Sequence, residues 1–247
     1  VKAYDDDLSG AIEALTAAAD AAVDAPALRL VCLLRLSLAL AIAGRMGAAI
    51  EHAQCAVTLA EELDVPALHS QALSIWVTAT FIWGGGVDED ALQLAVQLED
   101  PHSGATTFLR ARAAQAVLSA YIGDLEVADA QIHAVRDAMI TDGSEVDLVW
   151  VDNRIAAVAI WAGRYDEAGR AAQAAVQRAE QLGGKHSWAT AWTKRAAVAA
   201  LQGRAADARA DIDAAIEAVR ATGAVRQVRE PTRVLAFLEV SLGDHAA

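Results

Sequence analysis

The sequence predicts an all-α protein, a right-handed superhelical solenoid of about six antiparallel helix pairs. Three observations carry this. Glycines recur at steps near forty residues, at Gly44, Gly84, Gly123, Gly163, Gly203 and Gly243. Most of them open the same kind of phrase, as in Gly123-Asp124-Leu125-Glu126-Val127-Ala128, Gly163-Arg164-Tyr165-Asp166-Glu167-Ala168 and Gly203-Arg204-Ala205-Ala206-Asp207-Ala208. The composition is 55% hydrophobic, much of it alanine, with only four prolines. A self-similar period of this length means stacked helical hairpins, each stable only against its neighbours. Alanine is the strongest helix former, and its small side chain lets helices pack closely.

Each unit reads as helix A, a glycine turn, helix B and a loop. The predicted B helices span 7–23, 47–63, 88–99, 125–141, 165–182 and 205–222. The A helices span 27–43, 67–83, 104–122, 145–162, 187–202 and 225–242. A second ladder, Gly143, Gly183 and Gly223 with Asp64 in the equivalent earlier place, ends the B helices. Glycine just past a helix takes the left-handed cap conformation without steric cost. Acidic residues at the B starts (Asp88 to Asp90, Asp124 with Glu126, Asp166 with Glu167) complement the positive end of a helix. The second unit is irregular, with its turn spread over Gly84-Gly85-Gly86 and a loop from Pro101 through Gly104. A bend or mobile joint is expected there. No Gly/Ser or Pro linker divides the chain, so residues 1–247 are expected to form one domain. Both ends break within a unit, and the chain is expected to be a fragment of a longer one.

Charge and composition exclude several classes. A net charge of −13 argues against gripping nucleic acid. The most apolar stretch, Leu28 to Ala43, contains Arg29 and Arg35, which makes membrane insertion costly and points to a buried helix. The acidic opening Asp5-Asp6-Asp7 is unlike a secretory signal. Two cysteines, Cys32 and Cys55, allow one bridge between them but no secreted-type disulfide framework, and reduced buried thiols of a cytoplasmic protein are expected.

The hinge carries a resemblance. A small residue stands seven before the turn glycine (Ser37, Ala116, Ala156, Ala196, Ala236). Alanine stands five after it (Ala49, Ala128, Ala168, Ala208), and a small or aliphatic residue stands twelve after (Ala56, Val135, Ala175, Ala215). This resembles a tetratricopeptide repeat, although that unit is 34 residues and its helix-B aromatic and closing proline are missing here. HEAT and armadillo units have the longer period but lack the Gly-x-x-x-x-Ala hinge. Units of about forty residues rich in Ala and Arg, as in Trp161-Ala162-Gly163-Arg164-Tyr165-Asp166-Glu167-Ala168, look like the central helical region of large ATP-dependent LuxR-type transcriptional activators related to the maltose regulator. The resemblance extends over essentially the whole chain. It implies a module that receives a small-molecule effector or a partner protein, flanked in the parent chain by a P-loop ATPase and a helix-turn-helix. Neither motif occurs in this sequence, so no ATP or DNA contact is assigned to its residues.

In tetratricopeptide stacks the A helices line the concave groove, and here they hold the aromatic and basic residues. All six tryptophans (Trp76, Trp83, Trp150, Trp161, Trp188, Trp192) and the three phenylalanines (Phe81, Phe108, Phe237) fall on them. So do ten of the twenty bases but only five of the thirty-three acids. A basic, aromatic groove inside an acidic shell suits an anionic or polar ligand. The alternative is that the tryptophans fill core while the acids solvate the outside.

Counted back from the turn glycine, positions three, five and twelve are apolar ridges, as in Ala120, Leu118 and Ala111, or Ile160, Val158 and Val151. Positions two, nine, ten and thirteen face the groove and hold Arg110, Tyr121, Trp150, Asn153, Arg154, Trp161, Thr193 and Lys194. Positions eight and eleven hold Arg112, Gln115, Asp152, Trp192 and Arg195, nearer the packing side, with Arg112 and Asp152 placed to pair between adjacent A helices. The ligand groove is therefore expected at Arg110, Arg112, Tyr121, Trp150, Asp152, Asn153, Arg154, Trp161, Trp192 and Lys194. Arg226, Arg229 and Arg233 share a face of the last helix, either a contact for a downstream domain or a solvated surface.

Catalytic and metal signals are weak. His52, His69, His102, His133, His186 and His245 show no metal spacing and are expected mostly at the surface. Asp5-Asp6-Asp7 and Asp88-Glu89-Asp90 lead into helices, where a helix-start role suffices. No nucleophile stands with a base. No enzymatic activity, cofactor or metal is therefore expected. The expected function is effector or partner binding within a transcriptional activator; the rival is a self-standing interaction scaffold that recognises a peptide or protein segment.

Overall fold

A computed structural model describes residues 7–222 and 225–243. These residues are all-helical and fold as two compact units, one spanning residues 7–123 and the other beginning at residue 124. The first contains α1 (Leu8–Ala21), α2 (Pro26–Ile42), α3 (Met46–Glu62), α4 (Pro66–Trp83), α5 (Glu89–Leu98) and α6 (Ala111–Ile122). The second contains α7 (Leu125–Thr141), α8 (Glu145–Trp161), α9 (Tyr165–Leu182), α10 (Lys185–Leu201), α11 (Ala205–Thr222) and α12 (Arg229–Ser241).

Within each unit every helix packs on the next in sequence, as stacked hairpins require. The A helices also pack on one another, α2 on α4 and α4 on α6 in the first unit, α8 on α10 and α10 on α12 in the second. Among the described residues, successive B helices approach each other less closely. The A helices therefore form the tighter, inner face of each stack.

The glycine ladder closes these hairpins through backbone geometry. Gly44, Gly84, Gly123, Gly163, Gly203 and Gly243 all have φ between 73° and 101°, the left-handed region. At Gly163 the chain forms a Schellman cap: Gly163 N donates to Ile160 O (3.1 Å) and Arg164 N to Ala159 O (2.8 Å). In the second ladder Gly143 forms the same cap, Gly183 shares the positive φ (75°) but leaves the helix with an extended ψ, and Gly223 lies outside the described residues. Asp64 is the one non-glycine in this conformation among the described residues, at φ 50°.

The hinge alanines explain the close packing. Ala49, Ala128, Ala168 and Ala208 are wholly buried, and so are Ala56, Ala175 and Ala215. Seven before the turn, Ser37, Ala116, Ala156 and Ala196 are buried too. Ala236 of α12 is exposed, because no further described hairpin covers that helix. Pro26 and Pro66 stand at the starts of α2 and α4, where a missing N–H costs nothing. Asp7 and Asp88 act as helix starts, their carboxylates accepting from Gly10 N (2.8 Å) and Ala91 N (3.0 Å).

Two A helices are shorter than their pattern predicts. The helix expected over 104–122 begins only at Ala111, after a 3-10 turn at Thr107–Leu109 that holds Phe108. Arg110 is the reason. Its backbone is extended and its buried guanidinium donates from Nε to Ala105 O (3.0 Å) and from Nη1 to Pro101 O (3.1 Å). These bonds turn residues 101–109 inward, burying Ala105, Thr107 and Leu109. The last A helix likewise divides into a 3-10 turn at Val225–Val228 and α12. The cysteines are both free, but only Cys32 is buried; Cys55 is exposed on α3, contrary to the expectation of two buried thiols.

Candidate functional site

The expected site residues separate by unit. Arg110, Arg112 and Tyr121 belong to residues 7–123. Arg110 is committed to its loop, as above. Arg112 is exposed, and its backbone N–H donates to Glu99 Oε2 (2.7 Å). Tyr121 is half exposed and rests against Phe81, with ring centroids 5.9 Å apart.

The remaining seven lie in the second unit, on α8 and α10, and divide between two faces. Asp152 faces the packing side. It is 2% exposed, and its carboxylate is held by Arg136 Nε (2.9 Å) of α7 and by Arg178 Nη1 of α9. Arg178 also reaches Glu145 (3.3 Å). The sequence paired Asp152 with Arg112 of the preceding A helix; its actual partners come from the two B helices that flank α8. Arg195 repeats this arrangement one hairpin later, donating from Nε and Nη2 to Asp211 (2.7 Å each) and from Nη1 to Gln173 (3.2 Å). Asp211 holds the Arg195 guanidinium charged and raises its pKa, against a smaller opposing effect of burial. Arg209 and Glu239 form a further forked pair (2.8 and 2.7 Å). Asp152 at eleven before Gly163 and Arg195 at eight before Gly203 thus tie A to B helices, and Glu239 does so from four before Gly243.

Trp192 belongs with this structural set. It packs with Trp188 (centroids 5.8 Å apart) on Val149, Val176 and Ala179, and on Ala218 and Val219 from the other side. Trp188 also donates Nε1–H to Ala179 O (2.6 Å). Trp76 touches three core clusters. The tryptophans are therefore not one class: Trp76, Trp188 and Trp192 pack in the core, whereas Trp83 and Trp161 are exposed at A-helix ends.

The inner face holds Trp150, Asn153, Arg154 and Lys194, in the register expected for the groove. The Arg154 guanidinium lies over the Trp150 ring, 5.2 Å from its centroid. Arg154 Nε is buried without a hydrogen-bond acceptor. Asn153 is buried, donating Nδ2–H to Val149 O (2.9 Å) and leaving Oδ1 without a donor. Lys194 is 17% exposed, with Nζ 3.6 Å from Glu230 Oε2. Glu230 is shared, since its Oε1 accepts from Arg233 Nη2 (3.1 Å). Burial pushes the Lys194 ammonium below the ordinary lysine range; Glu230 partly restores it, while Arg154 and Arg233 lower it further. Two cations from two A helices, Lys194 and Arg233, therefore meet one carboxylate, with the Arg154 charge of a third A helix acting on Lys194.

Glu230 is not among the expected site residues; Arg233 is expected at a downstream-domain contact or a solvated surface, and its side chain is 74% exposed. The same ruler finds both. Counted from Gly243, Glu230 stands at thirteen, in register with Trp150, and Arg233 at ten, in register with Asn153. Arg226 lies outside the residues whose side chains are described, and Arg229 is exposed.

Among the described residues no group of three or more His, Cys, Asp or Glu is arranged to hold a metal ion, and no helix is long and apolar enough to cross a membrane. His102 is exposed, and His52, His69 and His133 are partly buried. His133 Nδ1 lies 2.9 Å from Asp129 O, among the Asp129, Arg164 and Glu167 charges that join α7 to α9. The side chain of His186, and all of His245, lie outside the description. The chain matches no known protein family by sequence, and no curated protein is significantly similar to it.

Proposed function

We propose that this chain is the regulatory region of a bacterial LuxR-type transcriptional activator, receiving a small-molecule effector or a partner protein on the inner face of its A helices. One observation carries the reading. Side chains that serve packing and side chains left for recognition are sorted by a single register. Asp152, eleven before Gly163, and Arg195, eight before Gly203, form satisfied A–B ties, while positions nine, ten and thirteen of α8, α10 and α12 gather Trp150, Arg154, Lys194, Arg233 and Glu230. A stack held together from one side is free to use the other for a ligand. A ligand that prefers one curvature of such a stack would bias attached domains.

The activator assignment rests on the resemblance of the forty-residue hinge, and the parent reading frame tests it. A P-loop ATPase encoded upstream and a helix-turn-helix downstream are expected in the same frame. A frame that begins and ends with these repeats overturns the activator reading and leaves the interaction scaffold. The half-exposed Trp83, Ile82, Tyr121 and Ile122 at the A–B turns of residues 7–123 favour a protein partner for that unit.

A further inference from the structure

The inner face of the second unit carries more positive charge than its own side chains neutralise. Arg154, Lys194 and Arg233 come from α8, α10 and α12, and among the described residues Glu230 is the acid that meets Lys194 and Arg233. The other carboxylates of these helices with described partners are engaged elsewhere: Asp152 and Glu145 on Arg178, Glu239 on Arg209. Lys194 offers three N–H donors and meets one carboxylate oxygen at 3.6 Å, longer than a good hydrogen bond. The Nε–H of Arg154 is buried with no acceptor. Unmet donors in a buried position cost free energy unless something arrives to accept from them.

We propose that this face binds the oxyanion group of a small molecule, a carboxylate or a phosphate, between Arg154, Lys194 and Arg233, with the Trp150 ring against the remainder of the ligand. The proposal rests on the ligand-receiving reading above and names the chemistry of the ligand. Glu230 is half exposed and holds the place of the incoming anion, paired with Lys194 and accepting from Arg233 until it is displaced. The overall charge of −13 does not prevent this. At physiological salt, charges beyond roughly 8 Å are screened, so the local cations dominate at the site. The acidic exterior instead disfavours polyanions such as nucleic acid, which cannot be admitted one group at a time.

The 247-residue chain is titrated separately with inorganic pyrophosphate and with citrate at constant ionic strength, following tryptophan fluorescence and calorimetric heat. Saturable binding by either probe is expected, and the tighter of the two distinguishes phosphate from carboxylate. Arg233→Gln is the decisive variant, because its side chain is 74% exposed and its loss does not threaten the fold. It weakens binding by roughly five- to tenfold, the effect of one partly solvated charge-assisted hydrogen bond. Glu230→Gln has the opposite sign and tightens binding by roughly three- to tenfold, because the competing carboxylate is gone. If Glu230 were only a structural tie, both variants would be equally neutral or equally harmful to binding. Absence of saturable binding by both probes, or weaker binding in Glu230→Gln at an unchanged melting temperature, overturns the oxyanion site. Neither result touches the activator reading, which stands or falls on the flanking reading frame.

Discussion

Truncating Asp152 to alanine removes the carboxylate to which two B helices are tied through α8. The side chain is 2% exposed, so almost all compensation for its charge comes from Arg136 and Arg178. Removing one member of a fully buried pair costs about 3–5 kcal/mol, mainly because the remaining charge is left uncompensated. Here the orphans would be two guanidinium groups with side chains 30% and 24% exposed, on stems long enough to reach water. Arg178 also retains Glu145. Solvation recovers part of the loss, and the expected destabilisation is about 2–3 kcal/mol. For a chain of this size that corresponds to a fall in melting temperature of about 5–10 °C. Thermal unfolding followed by circular dichroism, with urea midpoints as a second measure, reads this directly. The double variant Asp152→Ala with Arg136→Ala should lose less than the sum of the two single changes, because the second removes an orphan that the first created. A single-variant loss below about 0.5 kcal/mol, or strict additivity in the cycle, would refute the idea that this carboxylate joins α7, α8 and α9.

Two further predictions follow from local geometry. Gly163→Ala meets no atom within 4 Å of the added Cβ, so its whole cost is the left-handed backbone at φ 73°, about 1–2 kcal/mol, read by urea unfolding. Asp64→Gly at φ 50° has the reverse sign and stabilises by about 0.5–1 kcal/mol; a loss there would show that the aspartate side chain serves the turn. Lys194→Met should stabilise the protein at neutral pH by about 1 kcal/mol, since an apolar side chain avoids burying the ammonium. The sign with pH is fixed by linkage. The folded state binds the Lys194 proton less tightly than the unfolded chain, so this group adds stability as pH rises between its lowered value and the ordinary lysine value of 10.5. The variant should lack that increment, so its advantage in urea midpoint shrinks between pH 7 and about pH 10; an advantage independent of pH would count against burial as the cause.

The hairpins were legible because glycine, alanine and the turn register are local signals. Gly163 is needed for its φ alone, and Ala168 and Ala175 for their size alone, so their spacing reveals them without knowledge of what they touch. The ridge at three, five and twelve before the turn was legible for the same reason: Ala111, Leu118 and Ala120 are all buried. The start of α6 was not. Nothing between Gly104 and Arg110 punctuates the sequence, and the 3-10 turn depends on a guanidinium that reaches back to the carbonyls of residues 101 and 105. The partners of Asp152 were missed because equivalent positions in neighbouring A helices suggested a lateral pair, whereas Arg136 and Arg178 reach it from the B layer. Glu230 and Arg233 are legible by spacing, thirteen and ten before Gly243, but their pairing with each other and with Lys194 of the preceding A helix depends on side-chain reach that spacing does not encode.

The two charge sets of the second unit differ in a way that packing alone does not explain. On the side facing the B helices, arginine and carboxylate are matched with short, often forked bonds: Arg195 with Asp211, Arg209 with Glu239, Asp152 between two arginines. On the inner side, cations outnumber the acid among them, Arg154 keeps a buried donor unmet, and the closest approach of Lys194 to a carboxylate is 3.6 Å. Both sides use the same helices and neighbouring positions, so the backbone imposes no difference. If stability were the only demand on both, an apolar residue at position 194 would serve the inner side better, because a buried ion without full compensation costs more than it returns. A destabilising group kept where the chain has no structural use for it is what a binding site requires, since the free energy withheld on folding becomes available when a ligand supplies the missing acceptor. Lys194→Met therefore separates two properties that a structural tie would join. It should raise the urea midpoint and weaken pyrophosphate or citrate binding in the same sample. A variant that lost both together would place Lys194 with Asp211 and Glu239 among the ties, and would remove the reason to expect an anion there.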